Sequence, residues 1–209
     1  MLAALVFGHG PAWALTAGED VAGQPGAQEA APAVPDGTAP RSPRKTPKDK
    51  RTQLEALFAA LKVAPDERSA KVISERLDRL FNTTDSTSVD LLMARASVAL
   101  EAKQYDLALK ILGQAIEIDP DDIGALSKRA TIHYMRDDYG PALADIREVL
   151  AREPRHFPML YGLALILRDI GDDKRALEAT RKALEVNPRF EGAKELEGQL
   201  VVTVEGREI

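Results

Sequence analysis

No cysteine occurs in the 209 residues. That excludes disulfide frameworks, thiolate metal sites and cysteine nucleophiles, and leaves every redox compartment open. Aromatic residues make up only 5% of the chain, so a core has to be built from Leu, Ala, Ile and Val. Beyond residue 14 only two histidines are present, His133 and His156. His156 has no histidine or carboxylate at metal-ligand spacing, and His133 falls where one helix faces its partner. A phosphate loop, a dinucleotide fingerprint, a Gly-x-Ser-x-Gly elbow and a His-Glu-x-x-His helix are all missing. The expectation is no catalytic residue, no cofactor and no metal. No apolar run approaches the ~20 residues that span a bilayer as a helix.

Positive charge is missing from the first forty residues, then six of the eleven in 41–51 are basic. From residue 52 onward, 22 Lys and Arg stand against 28 Asp and Glu. An acidic body repels polyphosphate, so nucleic acid is not expected as a partner. The basic stretch reads as solvated linker, able at most to lie near an anionic membrane surface.

Residues 2–7 form a short apolar run that Gly8, Gly10 and Pro11 break, and Ala12-Trp13-Ala14 supplies an A-x-A cleavage pattern. Residues 1–14 therefore read as a signal peptide, with the chain exported to a bacterial periplasm or cell surface. Cleavage after Ala14 removes Trp13, the one tryptophan. The positive charge that usually precedes such a run is absent, which keeps open a cytoplasmic chain with a disordered tail. Residues 17–40 hold seven Ala, four Gly and four Pro. Such a segment buries too little surface to offset its ordering entropy, so 15–51 is expected to be disordered linker.

The rest of the chain repeats itself. Pro120, Pro154 and Pro188 are 34 residues apart. Ala108, Ala142 and Ala176 stand twelve residues before them, and Ala115, Val149 and Ala183 stand five before. Leu92, Leu126 and Leu160 mark an early position, followed four residues on by Ala96, Ala130 and Ala164. The physics asks for these types: two short amphipathic helices pack antiparallel, small residues let the axes approach, and proline ends the second helix. One such hairpin leaves an apolar face open, so neighbours have to stack.

The pattern resembles the tetratricopeptide repeat (TPR) family. The resemblance implies an all-α α-solenoid of three helical hairpins in 87–190, with repeats at 89–122, 123–156 and 157–190. Leu replaces the family's usual aromatic at the fourth position of all three repeats. Arg95 and Arg129 replace leucine at the seventh; Asp145 is the expected partner of Arg129, whereas Ile111 stands at the site that would serve Arg95. Residues 52–86 read as a degenerate helical hairpin covering the first repeat. Residues 191–209 read as a capping helix and tail.

The resemblance further implies a protein or peptide partner held in a concave groove lined by first helices. By position that groove takes Met93, Ser97, Leu100, Ser127, Thr131, Tyr134, Met135, Tyr161, Leu165 and Arg168. Relatives that clamp the carboxylate end of a chaperone place Lys, Arg and Asn where this chain has Met93, Ser97, Ser127 and Gly162, so that clamp is not expected. The function implied is a non-enzymatic interaction scaffold, exported and acting in the cell envelope, or else a cytoplasmic adaptor or co-chaperone.

Overall fold

The computed structural model describes residues 47–206; the signal peptide and most of the linker expected in 1–46 lie outside the described residues. Among the described residues there are nine α-helices and no strand. They are α1 Pro47–Lys62, α2 Glu67–Phe81, α3 Thr87–Glu101, α4 Tyr105–Ile118, α5 Ile123–Met135, α6 Tyr139–Arg152, α7 Phe157–Asp169, α8 Asp173–Val186 and α9 Glu191–Val204.

α3–α4, α5–α6 and α7–α8 are three antiparallel hairpins, and each stacks on the next. The periodic alanines lie at the crossings: Ala96, Ala108, Ala130, Ala142, Ala164 and Ala176 are no more than 1% exposed. Larger residues fill the surround, among them Leu112, Ile132, Val149 and Ile166, all fully buried. Each such side chain contributes about 1.5–3 kcal/mol. The second helices end at Asp119, Glu153 and Asn187, whose backbones are extended at φ −135°, −135° and −126°. Pro120, Pro154 and Pro188 follow directly, and a proline excludes helical geometry from the residue before it.

Within each repeat the turn is a Schellman motif. Gln104, Asp138 and Asp172 donate their amides to the carbonyls of Ala99, His133 and Leu167. The residue before each of them is left-handed: Lys103 at φ 56°, Asp137 at 59° and Gly171 at 82°. Only the third repeat uses the glycine this geometry favours. Lys103→Gly is therefore expected to stabilise the fold by about 0.5–1 kcal/mol, read as a shifted urea midpoint at unchanged slope.

Three expectations are corrected by the fold. The linker does not run to residue 51, because α1 starts at Pro47. Proline suits the first helical position, and Asp49 in the first turn complements the helix dipole. Lys50 then reaches Thr83 O at 2.8 Å, just past the end of α2. α1 and α2 also do not cover the first repeat. They share a cluster with Phe157, Leu160, Ala183 and Ala193, while no α1 or α2 residue belongs to the cluster of repeat one. Finally, Arg95 is not held at a helix interface but exposed, because none of the described residues stacks on that side of α3. The helix after the third repeat is continuous to Val204, with Ala193, Leu196 and Leu200 buried.

The turns explain where the hairpin goes. Arg155 and Arg189, one period apart, both reach it. Arg155 bonds both carboxylate oxygens of Glu55 at 2.8 and 3.0 Å and lies 4.2 Å over the Phe58 ring. Arg189 donates to Ala64 O at 3.4 Å. Beside them, His156 packs on Phe81 at 4.6 Å between ring centroids. Phe190 joins the same cluster. The first repeat has Asp121 and Asp122 at these two positions. It offers the hairpin neither a guanidinium nor a ring.

Candidate groove interface

First helices α3, α5 and α7 form the inner side of the stack. Their inward residues meet in a cavity of about 230 Å³, lined by Leu100, Ser127, Lys128, Thr131, Pro158 and Met159 with Asp78, Phe81 and Asn82 of α2. A second depression of about 290 Å³ adjoins it, lined by Met93, Ser97, Asp90 and Lys128 with Asp78, Arg79 and Asn82. The end of α2 is thus a wall of the groove. It comes this close because residue 124 is glycine: a Cβ there would lie 3.1 Å from Asn82 Cα and Phe81 O.

The ten expected groove residues divide into three groups. Thr131 and Met135 are exposed, and Ser97, Leu100 and Leu165 are half-buried. Met93 is buried at 5% in the core of repeat one and offers only an edge to the groove floor. The other four hold the fold together as well as lining it. Ser127 Oγ lies 3.4 Å from His156 Nε2. Tyr161 meets the Phe190 ring edge-on at 5.0 Å, and its hydroxyl lies where a Cβ on residue 192 would come within 3.0 Å. Tyr134 donates its hydroxyl to Asp169 Oδ2 at 3.2 Å, and Arg168 donates to Oδ1 of the same carboxylate at 3.0 and 2.8 Å. Burial, and then the Asp169 charge, push the Tyr134 hydroxyl above the usual phenol range.

His156 is not a loop residue with nothing to do. It is 5% exposed and caps α7, with Nδ1 accepting the Met159 amide at 3.3 Å. A backbone N–H only donates, so the ring proton sits on Nε2 and points to Ser127 Oγ. Burial lowers its pKa from 6.5 to about 4. Elsewhere Arg129 forms the expected pair, a two-pronged contact with Asp145 at 2.8 and 2.7 Å. That pair holds α5 to α6 and belongs to the scaffold, not the groove.

Residue-by-residue carry-over from the first helices could not find Asp78, Phe81, Asn82 or His156, which line the groove from α2, its cap or a turn, and it missed Pro158 in the first turn of α7. A signal was present: Arg155-His156 and Arg189-Phe190 break the acidic character of the first turn one period apart.

A further cavity of about 630 Å³ lies between α1 and the inter-repeat turns, lined by both charge signs. Two of its arginines are paired within it or at its edge. Arg152 pairs with Asp121 and with Glu148 at 2.9 Å, and Arg155 with Glu55 and Glu153 at 2.8 and 2.9 Å. Among the described residues no cluster of three or more His, Asp or Glu is placed to hold a metal ion, and no helix is long and apolar enough to cross a membrane.

Comparison with known proteins agrees with this architecture. Tetratricopeptide repeat models match residues 89–122 and 127–192. A TPR repeat-containing protein of Rhizobium etli is 33% identical over 166 residues, 79% of this chain and 80% of its own. Among solved structures, the first TPR of Spaghetti (RPAP3) bound to an HSP90 peptide superposes with a TM-score of 0.56 at 15% identity, covering 58% of this chain and 97% of its own. MamA superposes with a TM-score of 0.55 at 18% identity, covering 79% and 88%. At such identities the two structures speak to the fold alone. With three 34-residue hairpins stacked in phase and a relative matched over four-fifths of its length, the chain belongs to the tetratricopeptide repeat family.

Proposed function

We propose that the chain is a non-catalytic scaffold that holds an extended peptide or a helix of a partner protein along the open half of its inner groove. The observation that carries this is the asymmetry of the groove. α2 walls the cavity along the amino-terminal ends of α5 and α7, Thr131 is its exposed rim, and exposed Met135 and half-buried Leu165 lie beyond it toward the other ends. Thr131 and Met135 are tied to no side-chain partner, unlike Tyr134 and Arg168; Leu165 rests on the core cluster of repeat three with part of its surface open, and the chemistry of all three is neutral to apolar. A methionine suits such a surface because it adapts to irregular shapes. The peptide held by the RPAP3 repeat is the kind of occupant this reading anticipates, without the carboxylate clamp that Met93, Ser97, Ser127 and Gly162 do not supply.

A photo-activated cross-linker placed at Thr131 should trap a discrete partner in intact cells, and one at Lys110 on the opposite helix layer should not. Met135→Glu with Leu165→Glu should weaken capture of that partner by about tenfold or more, with unchanged helicity. The same adducts from Thr131 and Lys110 would reject the groove.

The workplace is proposed to be the bacterial cell envelope, in its assembly or integrity. Support comes from the apolar run at 2–7, the A-x-A pattern ending at Ala14 and the bacterial relative. The second reading is a cytoplasmic adaptor or co-chaperone with a disordered tail. Sequencing the amino terminus of the native protein separates them. A start at Leu15 supports export, and a start at Met1 or Leu2 supports the adaptor.

A further inference from the structure

Among the described residues none covers the outer side of the first repeat. Residues at the third and tenth positions of a first helix are apolar four times over: Leu91 and Val98, Ala125 and Ile132, Met159 and Ile166, Ala193 and Leu200. In α5, α7 and α9 the preceding second helix buries both, leaving each no more than 7% exposed. Among the described residues no second helix packs on that side of α3, and Leu91 and Val98 are 61% and 66% exposed.

α4 adds to the same face. Leu107 and Ile118 are 46% and 54% exposed. Their period mates are Pro141 and Arg175, and Arg152 and Val186, so repeat one is apolar where the others are mainly polar or proline. Terminal repeats of a solenoid need a polar outer face to stay apart. This one has the opposite. Arg95 lies in its middle without the acid that Arg129 finds in Asp145, because Ile111 holds that place.

The four side chains are arranged symmetrically. α3 and α4 run antiparallel, which sets Leu91 beside Ile118 at one end and Val98 beside Leu107 at the other. The midpoint of Leu91 and Val98 falls between Ala94 and Arg95. That of Leu107 and Ile118 falls between Leu112 and Gly113. The Arg129–Asp145 contact, one period on, puts residues 95 and 111 opposite each other within side-chain reach, so the two midpoints fall at similar heights, within one helical turn, ~5 Å.

We propose that this face pairs with the same face of a second copy across a twofold axis. One rotation then seats Leu91 on the partner copy's Val98 and Ile118 on its Leu107, and the reverse, as an isologous contact requires. Ala94 beside the axis lets the two α3 helices approach. A hairpin face about 22 Å long, with axes about 10 Å apart, lets a pair hide on the order of 1,000 Å². That is the lower end of what a specific dimer needs. Ala94 also borders the depression at Met93 and Ser97, but pairing here leaves the cavity at Ser127 and Thr131 open on both copies, so it stands apart from capture through Thr131.

Sedimentation velocity on the full chain tests it. The wild type should shift from one copy to two at concentrations on the order of 100 µM or below. L91E combined with V98E should stay monomeric with an unchanged thermal melt, since both side chains are exposed. Leu107→Glu with Ile118→Glu repeats the test from α4. The two Arg95 side chains meet near the axis, so an equimolar mixture of wild type and R95E should pair about tenfold more tightly than either alone. A wild type that remains monomeric, a charge variant that still pairs, or growth beyond two copies would overturn the proposal.

Discussion

Phe81→Ala is expected to free the α1–α2 hairpin from the repeats without melting them. Phe81 is 4% exposed and touches Phe58 at 6.3 Å and His156 at 4.6 Å. Removing a buried phenylalanine costs about 3–5 kcal/mol. The loss falls on one seam, because repeat one's cluster is built without any hairpin residue. Local opening is a separate equilibrium from global unfolding. Amides of α1 and α2 should therefore lose hydrogen-exchange protection by about a hundredfold or more, while those of α3–α6 change little. The groove would lose its α2 wall at the same time, so partner capture through Thr131 should weaken in step. Uniform loss of protection across all nine helices would show that hairpin and repeats form one cooperative unit instead.

The second large effect is acid lability centred on His156. Unfolded, this histidine takes up a proton near 6.5; folded, burial holds it neutral down to about 4. Neighbouring Asp78 and Glu153 oppose the shift without cancelling it. The unfolded chain thus binds more protons in that window. The stabilisation is whole above the unfolded value and is lost as pH falls toward the folded one. Between pH 6.5 and 5 the loss is about 2 kcal/mol. His156→Asn keeps a capping acceptor for the Met159 amide but does not titrate. Its stability should start lower at pH 7 and then fall less steeply than that of the wild type. Parallel urea-midpoint curves for the two proteins between pH 7 and 5 would contradict the assignment.

Both predictions concern the seam between hairpin and repeats, the part of the molecule least legible in the sequence. The stack itself was legible residue by residue. A 34-residue phase at Ala96, Ala108, Ala115, Pro120 and their period mates defines a local packing problem with one solution. Each crossing admits only a small side chain, and each proline forces the preceding residue out of the helix. Arg129 and Asp145 could be paired in advance for the same reason, since both positions are set within a single hairpin. Local chemistry also sets the start of α2, where Asp66 follows Pro65 and caps the helix by accepting the Ser69 amide at 2.7 Å.

What no single period contains is where the first hairpin goes. α2 has an amphipathic face that suits any apolar surface, so its pattern of Ala70, Leu77, Leu80 and Phe81 calls for burial without naming a neighbour. The choice was made between two surfaces far apart in the sequence. One is the outer side of α3, apolar but without charge or ring partners. The other is a row of turns carrying Arg155, His156, Arg189 and Phe190. The second wins by adding a guanidinium over Phe58, two bonds to Glu55 and a ring against Phe81. The repeat period and the hairpins it builds were therefore determined by the order of amino acids alone. The tertiary structure alone decided that α2 walls the groove, that His156 is buried and that Leu91 and Val98 are left bare, because each depends on groups brought together only when hairpin and turns meet.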